Sequence, residues 1–169
     1  MSYTLENLAT DCNRSLKEDS GPAGRKQLAQ HLETALNDSE FVAAQFPPEN
    51  NEERQVIYED ADFGFCILAH VYHGAKNSNP HDHADSWAIY GQAEGITEMT
   101  DWRKVKHPSG DEPGMVEADR IYELKPGMAQ FYDIGVLHSP RREATTRLIR
   151  MEGRNLAGVK RDKYEAVTA

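Results

Sequence analysis

Three histidines carry the chemistry that this chain advertises. His81 and His83 stand two residues apart in Pro80-His81-Asp82-His83, and His138 stands alone in Asp133-Ile134-Gly135-Val136-Leu137-His138-Ser139-Pro140. Side-chain direction repeats every second residue of an extended chain, so His81 and His83 can face one side of a strand. A later strand carrying His138 would complete a half-shell of imidazoles around a metal ion. The remaining coordination positions would then be open to water, substrate or O2. The other four histidines, His31, His70, His73 and His107, are expected in packing or surface roles. His70 and His73 border the strand before the motif and are expected outside the ligand set.

These side chains need a rigid frame, and the hydropathy pattern supplies one. The first third is predicted to be helical. Thr4 is a candidate cap for a helix with Leu5, Leu8, Cys12 and Leu16 near one face. Ser20-Gly21-Pro22 restarts the chain before Leu28, Leu32 and Leu36, and a third helix over 39–45 stops before Pro47-Pro48. From residue 53 the texture changes to β-rich runs. Strands are predicted over 55–59, 63–72, 86–92, 96–105, 115–124, 129–132, 145–152 and 164–167, with a turn at Asp60-Ala61-Asp62 and an exposed loop over 106–114. Eight or nine short strands indicate a mainly β barrel or sandwich covered by an N-terminal layer of two or three helices. One domain over 1–169 is expected, with the helical layer at 1–48, the barrel core at 53–152 and an extension at 153–169.

Composition narrows the partners. A net charge of −9 argues against nucleic acid or an anionic membrane surface. The N-terminal residues lack the basic and apolar segments of a signal peptide, no stretch is long and apolar enough to span a bilayer, and only Cys12 and Cys66 occur. A cytoplasmic protein with a small-molecule substrate is the expectation; a homodimer stays open. There is no phosphate-binding glycine loop, no CxxC pair and no nucleophile elbow.

The run His81-Asp82-His83, the strand through Gly91 and Gly95, then Lys125-Pro126-Gly127 and Gly135-Val136-Leu137-His138, resembles the two metal-binding motifs of the cupin superfamily. The resemblance covers about residues 53–152 and implies a double-stranded β-helix, or jelly-roll barrel. The glutamate ligand common in that superfamily would fall at Trp87 or Ala88, neither of which binds metal. Three neutral imidazoles remain, unless Glu94 or Glu98 bends back as a fourth ligand. Three histidines without the glutamate resemble the cysteine dioxygenase family, whose members use Fe(II) and pass both atoms of O2 to a substrate thiolate. His81-Asp82-His83-Ala84-Asp85-Ser86 and Gly21-Pro22-Ala23-Gly24-Arg25 are similar to segments of that family. The resemblance implies a carboxylate-holding arginine near Arg54. The family's crosslinking cysteine position is Ala88, and its late Ser-His-Tyr network falls near Leu148, Arg150 and Glu152, so these groups are replaced.

Within this frame Arg150 can clamp a carboxylate, with Glu152 on the same face able to neutralise it. Trp87 is expected to wall the pocket, and Tyr72, Tyr90 and Tyr132 are candidates to offer hydroxyls toward bound oxygen. The expected function is a non-haem Fe(II) dioxygenase acting with O2 on a small organic acid, a thiol-bearing acid first. A non-oxidative isomerase or lyase and a Zn-binding sensor domain are the alternatives, because imidazole also accepts Zn, Mn, Ni or Cu.

Overall fold

The computed structural model describes residues 2–168. Three helices open the chain: α1 (Leu5–Glu18), α2 (Pro22–Leu36) and α3 (Ser39–Gln45). Thr4 caps α1 through a reciprocal box, its hydroxyl accepting from the Asn7 N–H at 3.1 Å while the Asn7 amide oxygen accepts from the Thr4 N–H at 3.0 Å. Pro22 occupies the first turn of α2, where its missing N–H costs nothing, and Asp38 caps α3.

Among the described residues ten strands follow: β1 (Gln55–Glu59), β2 (Cys66–Tyr72), β3 (Lys76–Asn77), β4 (Ala88–Glu94), β5 (Thr97–Lys106), β6 (Gly114–Leu124), β7 (Ala129–Tyr132), β8 (Leu137–Arg142), β9 (Thr146–Glu152) and β10 (Tyr164–Ala166). They form two five-stranded sheets, β1-β2-β9-β4-β7 and β10-β6-β5-β8-β3. β2 pairs with β9, β3 with β8, β4 with β7 and β5 with β6, every pair antiparallel. That nesting of first with last is one long hairpin wound on itself, and the lateral pairs β4·β9 and β5·β8 close its turns. The fold is therefore a double-stranded β-helix.

The helices cover the outer face of the first sheet. Leu8, Leu28 and Leu32 pack there against Phe65, Ile67, Ile89, Ile149 and Met151, all fully buried or nearly so. Each such side chain contributes roughly 1.5–3 kcal/mol by leaving water. Gly91 lets α2 come close, since a Cβ there would stand 2.6 Å from Leu32 Cδ2 and 2.8 Å from Leu36 Cδ1. A second cluster fills the barrel interior, built from Tyr72, Ala88, Tyr90, Met99, Leu124, Tyr132 and Leu148. β2 is buried along its whole length because both faces are covered. The second sheet turns its outer face to solvent, as Ile121 on β6 and Val105 on β5 show.

Two strands escape the hydropathy pattern. β3 is only two residues long, and β8 contains Pro140 and two arginines, a composition that reads as non-strand. The pair His81–His83 is also not carried on one continuous strand. His81 makes a single antiparallel bridge to His138, and His83 sits in the turn before β4. Among the described residues, no helix is long and apolar enough to cross a membrane.

Candidate metal centre

Backbone pairing places the histidines. His81 and His138 exchange two main-chain hydrogen bonds, each 3.0 Å, so the loop before β4 is stitched to the start of β8. After His81 the chain turns: Asp82 Oδ1 accepts from the Ala84 N–H at 3.0 Å, and Ala84 takes the left-handed conformation (φ 56°). That turn swings His83 back beside His138. The three imidazoles come within ligand-sharing distance of one another, and no carboxylate or thiolate joins them among the described residues.

Their outer hydrogen bonds fix what they can do. His81 Nδ1 donates to the Asn79 carbonyl at 2.8 Å, and His138 Nδ1 donates to the Val136 carbonyl at 3.1 Å. Carbonyls only accept, so in both neutral rings Nε2 carries a bare lone pair. His83 Nε2 stands 3.0 Å from His138 Nε2. Burial holds the rings neutral: it pushes His81 down to about 4 and holds His83 and His138 well below the usual imidazole range. The Arg150 charge works in the same direction on all three. Converging neutral Nε2 atoms, oriented by carbonyls behind them, are the donor set of a divalent transition-metal ion.

Tyr90 caps this triangle. Its hydroxyl lies 3.4 Å from His81 Nε2, 3.2 Å from His83 Nε2 and 3.3 Å from His138 Nε2, and the residue is fully buried. Arg150 lies over the Tyr90 ring, 4.4 Å from its centroid, and donates to the Tyr72 hydroxyl at 3.3 Å. Arg142 lies over the Tyr72 ring at 4.3 Å. These groups line a cavity of about 550 Å³ that reaches His81.

The other expected residues divide by strand face. Tyr72, Tyr90 and Arg150 point into this cavity. Tyr132 lies beside it, its ring stacked 3.9 Å from that of His138 and its hydroxyl bonded to that of Tyr122. Trp87 packs into the helix-facing cluster, because Ala88 takes the inward position beside it. Ala88 offers only a methyl group where a ligand side chain would otherwise project. Arg54 stands outside the cavity lining and donates to Glu152 at 3.3 Å and to Asn155 at 2.9 Å. Glu94 pairs with Arg147 at 2.8 Å and Glu98 lies 3.9 Å from Arg141, so neither reaches the histidines. His70 is buried near Tyr72, and its Nδ1 bonds the Glu53 carbonyl at 2.7 Å. His31 bonds Ser15 across two helices.

Arg142 is the residue that sequence inspection missed. Counting by two from His138 along β8 gives Pro140 and Arg142 on the same inward face, which was the available signal.

No protein-family model matches this chain, and no curated protein matches it either. Solved structures similar to it include a cupin-2 domain protein from Shewanella frigidimarina (18% identity, 58% of this chain and 76% of that one, TM-score 0.43). Others are a cupin superfamily protein from Desulfitobacterium hafniense (9% identity, 68% and 87%, TM-score 0.47) and KdgF from a Halomonas species (14% identity, 63% and 82%, TM-score 0.44). These likenesses concern the fold, which the nested strand pairing establishes by itself.

Proposed function

We propose that this protein is a non-haem Fe(II) dioxygenase with His81, His83 and His138 as its metal ligands, acting on a small organic acid. The observation that carries this reading is the convergence of three neutral imidazoles without a carboxylate, one of which, His81, lines a cavity walled by arginines. With no carboxylate among the ligands, a divalent ion keeps its full charge and several open positions, which suits an anionic substrate together with O2. When bound, iron supplies Lewis acidity and electron exchange with O2.

The protein's own groups do the positioning. Arg150 presents a guanidinium to an acid group entering the cavity, and Tyr72 fixes its orientation by accepting one N–H. Tyr90 places one O–H beside the ligand triangle, where it can donate to a reacting oxygen or sulfur atom. Its burial excludes water from that contact. Arg54 acts through Glu152 and not on the substrate, since Glu152 also lies 3.8 Å from Arg150. A thiol-bearing acid is the first compound to test, although Leu148, Arg150 and Glu152 stand where the thiol dioxygenases keep their late network.

A non-oxidative isomerase or lyase is the second reading, favoured by the all-imidazole donor set, which accepts Zn or Ni as readily. One experiment separates the two. The protein is loaded anaerobically with Fe(II), and O2 consumption is followed with 3-mercaptopropionate, cysteine, a β-diketone and a panel of hydroxy and oxo acids. Iron-dependent O2 uptake with one of them supports the dioxygenase. Turnover that proceeds equally without O2, on Zn or Ni, supports the isomerase or lyase instead.

A further inference from the structure

The charge inventory of the cavity is unbalanced, and the imbalance lies deep. Toward the rim the two cations Arg161 and Lys163 are equalled in number by Asp162 and Glu165, and Lys76 pairs with Glu53. Arg142, by contrast, is only 2% exposed and has no ion-pair partner among the described residues. Its Nε and Nη2 atoms are buried without any hydrogen-bond acceptor, as is Nε of Arg150. Of the acids near the two arginines, Glu53 acts on Arg142 but pairs with Lys76, and Glu152 is shared between Arg54 at 3.3 Å and Arg150 at 3.8 Å. A buried charge without an ion-pair partner is destabilising, and the Tyr72 ring offsets it only in part, so an anionic ligand would be stabilised there.

Tyr72 binds the two guanidinium groups into one wall. Its ring lies under Arg142 and its hydroxyl accepts from Arg150. A divalent metal on three neutral histidines would add two further positive charges to the same cavity. A single carboxylate on that metal leaves Arg142 uncompensated. On the metal-site reading, we infer that the substrate is a dianion: one acid group goes to the metal, and a second oxyanion, carboxylate or phosphate, is held by Arg142 and Arg150 beside Tyr72. Guanidinium forks suit both oxyanions, since each accepts two parallel N–H bonds.

The test uses the full chain loaded with redox-inert Zn, and reads binding by calorimetry. Malate is compared with lactate, and 3-phosphoglycerate with glycerate; within each pair only the dianion carries the second oxyanion. The expected result is that one dianion binds at least about tenfold more tightly than its partner, as a charge-assisted contact provides. The pair that shows the gap tells carboxylate from phosphate. Arg142→Met should erase the gap while Zn stoichiometry stays unchanged, and Arg142→Gln repeats the test with a polar side chain of similar length. Ligand-free Arg142→Met should also melt higher than the wild type, by about 2–4 °C or more, because it removes an unpaired buried charge. Equal affinity within both pairs, a gap that survives both substitutions, or a lower melting temperature would overturn the inference. If the wild type takes up no Zn, the three-histidine reading fails by itself. Inorganic phosphate bound by the metal-free wild type but not by Arg142→Met would then still support the anion site, and equal binding would refute it.

Discussion

The two faces of the first sheet obey opposite rules. Toward the helices, β4 and β9 present Ile89, Ile149 and Met151, every one buried against apolar neighbours. Toward the barrel interior the same two strands present Tyr90 and Arg150, in a cavity with unpartnered donors. One residue along the chain separates a group that stabilises the fold from one that costs stability. The outer face is optimised for burial; the inner face near the cavity is kept polar and incompletely satisfied, which only a ligand can complete. Because side-chain direction alternates, β4 and β9 can perform both tasks in one register.

This division can be broken from either side. The largest effect is expected from His138→Ala, which should abolish metal binding and iron-dependent turnover. Its far-UV circular dichroism and cooperative unfolding should persist, because the ring, carried by β8 of the second sheet, lies in the ligand cluster and outside the helix-facing core; metal analysis and urea titration check both halves. Ile149→Ala, on the opposite face, should cost about 2–5 kcal/mol of unfolding free energy. The folded fraction should still bind metal at full stoichiometry. Tyr90→Phe keeps the packing and removes one hydroxyl, so metal content should hold while kcat falls by about 10²-fold or more. Finally, Glu94→Gln removes only a surface partner of Arg147 and should leave stability within about 0.5 kcal/mol and activity unchanged.

Acid sharpens the same contrast. The folded protein holds His81 down at about 4, and His83 and His138 are also depressed, whereas an unfolded imidazole titrates near 6.5. Below about pH 6.5 the unfolded chain therefore binds protons that the folded chain refuses. Stability of the metal-free protein should be fully present above that pH and decline as pH falls toward about 4. Bound metal should leave in the same window, because protons compete for Nε2. Urea unfolding at a series of pH values, with metal release followed in parallel, checks this. Ile149→Ala should shift the stability curve down without changing its slope.

Much of the frame was legible in the chain, for identifiable reasons. Thr4 and the spaced leucines gave α1 and α2, since capping and periodicity are local signals. The convergence of His81, His83 and His138 followed from motif order. What escaped is non-local. A strand carrying His138 was expected, but its run through Arg142 was hidden because Pro140 and the arginines look unlike a strand, and its partners β3 and β5 are distant in sequence. Arg142 was hidden with it. The side on which Trp87 falls could not be counted from His83, because the turn at Ala84 breaks the alternation between them. Arg54 had to be weighed against Glu152, which lies 98 residues away.

The most direct measurement is the iron content of protein purified and reconstituted without oxygen, for the wild type and for the double variant His83→Ala/His138→Ala. The account predicts stoichiometric Fe(II) in the wild type and only background iron in the variant, with both folded. Stoichiometric iron retained by the variant, or none taken up by the wild type, would contradict it.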